Sequence, residues 1–259
     1  QLPGRKSDVK DAQWIATALL KELVRDSFVP DGNIQRLRQY GRRINEINKD
    51  SVRCEQRIDM ILQRCNIRLS NCVSRTKNKS YRKVVDALIA GETSADVLVG
   101  LIHGRTVNRH GKSAVHDALE GCVCESDRDL LRQYTQSFDM LQIQKQQCLD
   151  AMVRMCKQLY GEAFSFLLTV PGIKLTSAAI IISEIGDNME LFATAAALVS
   201  WAGLRPRNDE SAGKIKSRKI THGNKYLRSA FMECANVAAR TKGSVFYFRF
   251  WHLKGMKKH

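Results

Sequence analysis

Two carboxylates and one hydroxyl are the groups in this sequence with the strongest claim to act on a phosphodiester. Asp8 and Asp11 stand three residues apart in Lys6-Ser7-Asp8-Val9-Lys10-Asp11-Ala12. On a helix that begins near Asp8 they share a face. Two carboxylates on one face can hold Mg²⁺ and leave room for water and phosphate oxygens, and the paired metals of nucleases promote in-line phosphoryl displacement in this way. Acidic residues also favour a helix's first turn because of its dipole. On spacing alone that second reading is the stronger, since two acids do not fill a two-metal site. Ser211 lies in Trp201-Ala202-Gly203-Leu204-Arg205-Pro206-Arg207-Asn208-Asp209-Glu210-Ser211-Ala212-Gly213-Lys214, where glycines and a proline predict a loop. A serine hydroxyl attacks only when a base takes its proton, or when cations favour the alkoxide and the charge developing on phosphorus. Lys214, Lys216, Arg218 and Lys219 follow closely and supply such cations. The competing reading is a solvated polar loop, and a lone Ser near a Gly does not separate the two.

Three further strings bear on nucleic acid. Thr221-His222-Gly223-Asn224-Lys225-Tyr226-Leu227-Arg228 reads as a turn entering a helix, with Leu227, Phe231 and Ala235 on one face. Lys225 and Arg228 are candidate phosphate contacts from that helix's first turns. His222 is either a proton shuttle or a plain exposed loop residue. Val170-Pro171-Gly172-Ile173 followed by an apolar helix over 176–185 suggests a helix-hairpin-helix turn, whose amides can face a DNA phosphate. Lys174 stands where a second glycine is usual and adds a charge. Phe246, Tyr247, Phe248, Phe250 and Trp251 interleave with Arg249 near the end of the chain. Base stacking is one reading of them, and core packing is the favoured one.

The elements that must position these residues are mostly helical. Trp14, Ile15, Ala18, Leu19 and Leu23 recur at helical spacing over 8–23, with Ser7 as a plausible N-cap. Leu37, Tyr40, Ile44, Ile47, Ser51, Cys54, Ile58, Ile61 and Cys65 form a heptad seam. A second seam runs through Leu131, Tyr134, Phe138, Leu141, Lys145, Cys148, Met152, Met155 and Leu159. Two such helices are expected either to pair antiparallel or to form a dimerising coiled coil. Between them, Val84-Val85-Leu88-Ile89 and Val97-Leu98-Leu101-Ile102 mark shorter helices that cap the arm.

Composition sets the partner. The chain has 259 residues, 44% of them hydrophobic, and a formal net charge of +16. A polyanion is the expected partner, nucleic acid before an anionic membrane. Residues 201–259 hold fourteen Lys and Arg against three Asp and Glu, so the C-terminal part is where it docks. The eight Cys show no C-x-x-C spacing and no nearby His cluster, so they read as reduced thiols of a cytoplasmic protein. No stretch is long and apolar enough to predict a membrane span.

The strings P-G-I, S-E-I-G-D, L-F-x-T-A, S-W-A-G-L-x-P, N-D-E-S-A-G-K and G-N-K-Y-L-R, in this order over 167–243, resemble the C-terminal transposase domain of the bridge-RNA-guided insertion-sequence transposases, the IS-one-ten family. The Piv-type DNA invertases belong to the same group. P-G-R-K-S-D-V-K-D-A-Q-W-I-A resembles the end of that family's RuvC-like (RNase-H fold) domain, and Leu88-Ile89-Ala90-Gly91-Glu92-Thr93 is similar to its middle region.

The resemblance implies a mainly α chain in three parts: a C-terminal remnant of a RuvC-like domain over 1–30, a helical coiled-coil domain over 31–160, and a C-terminal transposase domain over 161–259. It implies a recombinase in which Asp8 and Asp11 are two of four acids that bind Mg²⁺ (or Mn²⁺). The other two acids belong upstream of Gln1, so the chain reads as N-terminally truncated, and it also looks short by a helix after His259. Ser211 is implied as the nucleophile that forms a phosphoserine link to DNA. Lys174, Lys214, Lys216, Arg218, Lys219, Asn224, Lys225 and Arg228 are carried as nucleic-acid contacts. The implied partners are DNA (element ends and target), a structured guide RNA and further copies of the chain, as dimer or tetramer through the coiled coil. The implied location is the cytoplasm, at the nucleoid. Two rivals stay open: a defective fragment that only binds nucleic acid as a dimer, and a junction-resolving nuclease that uses metal alone.

Overall fold

The structure, a computed structural model, describes residues 8–23, 30–73, 78–207, 209–211, 214–217 and 219–256. For 209–211 and 214–216 it describes the backbone. Among the described residues the regular elements are twelve α-helices, two 3-10 turns (Leu69–Asn71 and Met189–Leu191) and one short hairpin: α1 (Asp8–Leu20), α2 (Gly32–Arg64), α3 (Lys79–Ile89), α4 (Ala95–Gly100), α5 (Gly104–His110), α6 (Lys112–Asp117), α7 (Glu125–Leu159), α8 (Gly161–Thr169), α9 (Leu175–Ile185), α10 (Ala195–Trp201), β1 (Asp209–Ser211), β2 (Lys214–Ser217), α11 (Lys225–Ala238) and α12 (Val245–Met256). The mainly α expectation holds.

The two seam helices dominate. Asp31 caps α2, its Oδ1 accepting from the amides of Asn33 and Ile34 at 2.8 Å each. At the start of α7, Cys124 takes the cap position and Asp127 answers it from the third residue, a capping box with a thiol in place of a hydroxyl. The helices run antiparallel within one chain. At one end Arg64 and Cys65 of the α2 terminus both bond Asp127, the thiol at 3.3 Å. At the other end the Tyr160 hydroxyl lies 3.5 Å from Asp31. Of the two pairings open to the seams, the chain thus uses the internal one. Leu37, Ile47, Ser51 and Ile58 of the first seam and Leu131 and Met152 of the second are buried. Midway, Gln142 Nε2 donates to Ser51 Oγ at 2.9 Å.

Three cores follow. The outer end of the arm packs Leu62, Ile67, Leu69, Val84, Leu88, Leu98, Val115, Leu119 and Leu131, so the shorter helices do cap it. The inner core joins Ile34, Leu37, Ile44, Met152 and Cys156 to Phe164, Ala178 and Ile182. It runs straight across position 160, so the arm and the C-terminal part share one interior there. The third core gathers Ile181, Ile185, Ala202, Leu227 and Ala230. Removing one large side chain from such a core costs about 2–5 kcal/mol.

Two apolar helices depart from expectation. The face of α1 remains open to solvent: Trp14, Ile15, Leu19 and, just beyond the helix, Leu23 are exposed, and Ala18 is its buried residue. This helix packs substantially against no other described element, and most of its apolar stripe stays exposed. On α12 no residue is buried. The favoured core reading of Phe246, Phe248, Phe250 and Trp251 is therefore corrected: all four are exposed. Apolar side chains surround that helix instead of forming one stripe, so no single docking face removes them from water. The Ser7 cap lies outside the described residues.

Candidate nucleic-acid interface

Ser211 stands on a ribbon, not in an irregular loop. It ends β1 and pairs with Lys214 of β2, while Glu210 faces Ile215 and Asp209 faces Ser217. The antiparallel pairing continues below the hairpin: Pro206 bridges Ile220, Arg207 N donates to Lys219 O at 3.0 Å, and Thr221 N donates to Arg205 O at 2.9 Å. Arg205, Arg207 and Lys219 on the ribbon's lower half are exposed. Arg205 and Arg207 did not figure among the phosphate contacts expected from the sequence, although they flank Pro206 at the end of the S-W-A-G-L-x-P string. The side chains of Ser211, Lys214 and Lys216, and the whole of Arg218, lie outside the described residues.

The ribbon's base is built from close backbone contact. Gly203 has φ +68°, and a Cβ there would fall 2.9 Å from both Gly223 N and Thr221 O. Only a residue without a side chain allows this approach at that conformation. Asn224 N donates to Trp201 O at 2.9 Å. Arg228 Nε donates to Ala202 O and its Nη2 to Thr221 O, each at 3.2 Å. This half-buried guanidinium clasps the two legs of the ribbon. Arg228 thus positions the two legs, with Nε and Nη2 both on main-chain oxygens.

Asn224 also has a structural job. Its Oδ1 caps α11 by accepting from Tyr226 N at 3.0 Å and Leu227 N at 3.1 Å. Its Nδ2 donates to Glu184 Oε2 at 2.6 Å. Glu184 is buried on α9, paired with both guanidinium nitrogens of Arg42 and 3.7 Å from Arg38 Nε. Arg38 further donates to the carbonyls of Ser183 at 3.1 Å and Glu184 at 2.7 Å. The Arg42 guanidinium lies 3.3 Å from the centre of the Tyr226 ring. One buried carboxylate therefore ties the arm, α9 and the entry to α11 together. Sequence reasoning missed it, since a lone Glu among apolar residues carries no mark of burial. Both ends of the Asn224 amide are thereby engaged within the chain.

Lys225 and Lys174 are exposed, but at different ends. Gly172, with φ +93°, turns the chain between α8 and α9 where a Cβ would meet Ala238 N at 2.9 Å. The start of α9 therefore sits against the end of α11, and Glu184 at its far end meets Asn224 at the start of α11. The two helices are antiparallel. Lys174, the residue capping α9, lies at the hairpin end. Lys225 lies at the ribbon end with its ammonium 5.1 Å from the Tyr226 ring.

Asp8 and Asp11 occupy the exposed first turn of α1. α1 makes only marginal contact with the other described elements. Among the described residues, the group of three acidic or His ligands that converges is His116, Asp117 and Glu120 on the arm, and neither Asp8 nor Asp11 belongs to it. Also among the described residues, no helix is long and apolar enough to cross a membrane.

Residues 165–248 match the family model described as Transposase IS116/IS110/IS902 family, and residues 1–67 match a DEDD-type transposase model of the IS110 group. The two matches together cover more than half of the chain. The chain belongs to this family of insertion-sequence transposases, as its strings led us to expect. The family's class of activity is DNA transposition and recombination, so DNA is the macromolecule handled. A DEDD-type domain also points to dependence on a divalent metal. No curated protein matches the chain.

Proposed function

We propose that this transposase breaks and rejoins DNA through Ser211. The observation that carries the reading is the ribbon: Ser211 is paired with Lys214 at the outer end of a hairpin whose base is clasped by Gly203, Gly223 and Arg228. A clasped base with cations along both legs suits in-line attack on a phosphodiester, which gains from a positioned nucleophile and stabilised phosphate charge. Ser211 Oγ forms a bond to phosphorus as one sugar oxygen departs. The hydroxyl proton passes to solvent or a neighbouring base, and the departing oxygen takes up a proton. The phosphoserine link conserves the ester bond, and a second sugar hydroxyl reverses the exchange to rejoin the strand.

Asp8 and Asp11 fit magnesium or manganese in donor type, since both are carboxylates on one exposed helical turn. They supply part of a ligand set. Bound there, the metal would stabilise charge on the phosphate and the departing oxygen. We assign phosphate contact to Lys174, Lys214, Lys216, Arg218, Lys219 and Lys225, joined by Arg205 and Arg207. A structured guide RNA and further copies of the chain complete the assembly. Exposed Met60, Met140 and Ile143 on the arm's outer surface support association through the coiled coil, because the inner seams already serve each other. The segment 1–30 belongs, in this reading, to a RuvC-like domain.

The test uses the full chain and its Ser211→Ala variant with element-end DNA, the element's RNA and Mg²⁺. A protein–DNA adduct stable to denaturing electrophoresis should form with the first and be absent with the second. An adduct of equal yield from Ser211→Ala removes Ser211 as nucleophile, and strand cleavage with no adduct favours metal-only hydrolysis.

A further inference from the structure

Residues 234–259 hold Arg240, Lys242, Arg249, Lys254, Lys257 and Lys258 and not one Asp or Glu. Within this acid-free segment, α12 places five aromatic residues in six positions: Phe246, Tyr247, Phe248, Phe250 and Trp251. Phe248 is 64% exposed and Trp251 48% exposed. Lys254 Nζ lies 4.6 Å from the Trp251 ring centre, and Arg249 is exposed between the aromatic residues.

From this juxtaposition we propose that α12 is a stacking platform for unpaired nucleic-acid bases, separate from the Ser211 ribbon. Charge selects the occupant. A second copy of this chain would bring the same six cations against them. A membrane surface would favour a helix with its apolar and polar residues on opposite sides, and α12 has no such division. Unpaired nucleic acid offers flat apolar bases to the rings and phosphates to the interleaved cations, the combination that sequence-tolerant single-strand binding uses. Location agrees. Ser244 Oγ, at the start of α12, donates to Ala238 O at 3.2 Å, and the Gly172 turn packs on the same Ala238. The exposed Lys174 thus adds a cation near the platform's beginning.

The test compares the full chain with Phe248→Leu/Trp251→Leu, which keeps apolar bulk and helix propensity but removes two rings. Labelled oligothymidylate, a duplex of equal length and phosphatidylserine vesicles are the probes, without metal and in both the Ser211 and Ser211→Ala backgrounds. Loss of strand transfer in the second background then leaves this reading intact. Affinity for the single strand should fall about tenfold or more, since stacking on one ring is worth roughly fivefold or more per base and two rings are removed. Its salt dependence and the duplex affinity should be unchanged. Arg249→Gln/Lys254→Gln should instead flatten the salt dependence by about 0.7 for each phosphate left without its cation. Unchanged single-strand affinity in the Leu variant overturns the proposal. So does a matched loss of vesicle binding, or a fall in sedimenting mass, which would assign the rings to lipid or to a second copy. Trp251→Leu alone, checked by circular dichroism, carries the same expectation should the double variant lose helix.

Discussion

Asn224 holds the start of α11 with its oxygen and the buried Glu184 with its nitrogen, at 2.6 Å. The turn that opens the ribbon's far leg is therefore fixed to α9, and through Arg42 to the arm. Removing the carboxylate takes the shared partner from two half-buried guanidinium groups and from the Asn224 amide. Glu184→Ala should destabilise the chain by about 1–3 kcal/mol, the usual cost of leaving such hydrogen-bonding groups without their partner. Asn224→Asp retains the capping oxygen but sets a second carboxylate against Glu184. Thermal melts should show a loss for this variant too. A melt equal to wild type would mean that the cap alone accounts for Asn224.

Asp127 gives a pH signature. The Cys124 thiol, then the Arg64 guanidinium, hold its carboxyl down at about 2, and the Cys65 thiol adds to this. An ordinary Asp in the unfolded chain titrates near about 3.9. Its folded value is the lower, so its stabilising contribution is full above roughly pH 4–5 and disappears as pH falls through about 2. Asp127→Asn should melt below wild type at neutral pH, and the gap should close on acidification across that window. A gap that stays constant down to pH 2 would remove the charge from the explanation.

Gly203 controls the ribbon's footing. Gly203→Ala forces a methyl into Gly223 and Thr221 at a positive φ. Limited trypsin digestion should cut between Arg205 and Lys219 faster than in wild type, while the arm's protection remains. Strand transfer should drop at least tenfold, since reacting groups misplaced by about 1 Å lose rate on the order of a hundredfold. Equal digestion rates would show that the ribbon tolerates the methyl.

The cations at the two ends of α9 should act separately. Lys174→Gln and Lys219→Gln should each lower the slope of log affinity against log salt for duplex DNA by about 0.9, one phosphate's share. The double variant should lose the sum. Titration of duplex binding at several salt concentrations reads this directly, and an unchanged slope removes the altered residue from the interface.

The long helices were legible because a three-and-four apolar rhythm persists through Leu37, Ile44, Ile47 and Ile58. Their antiparallel partnership was one of two readings, since a seam does not say whether its complement lies in the same chain. The ribbon was hidden because strands of three and four residues are too short to show alternation. The clasp made by Arg228 and the bond from Asn224 to Glu184 were not legible, because residue type reports a donor, not whether a carbonyl or a buried carboxylate takes it. Ser211 and the cations after it were visible as chemistry, and their strings carried the family resemblance. For α12 the bland expectation failed: aromatic residues bury only where something packs on them, and nothing in a local string records that.

The antiparallel run of α9 and α11 has a geometric corollary for any duplex laid along it. Eleven residues at 1.5 Å each separate the Lys174 end from the Glu184 end by roughly 16 Å. That is about half of the 34 Å repeat of B-form DNA. On one side of a double helix, backbones half a repeat apart belong to opposite strands. The hairpin end and the ribbon end would then straddle a groove, one steadying the uncut strand while the other addresses its complement.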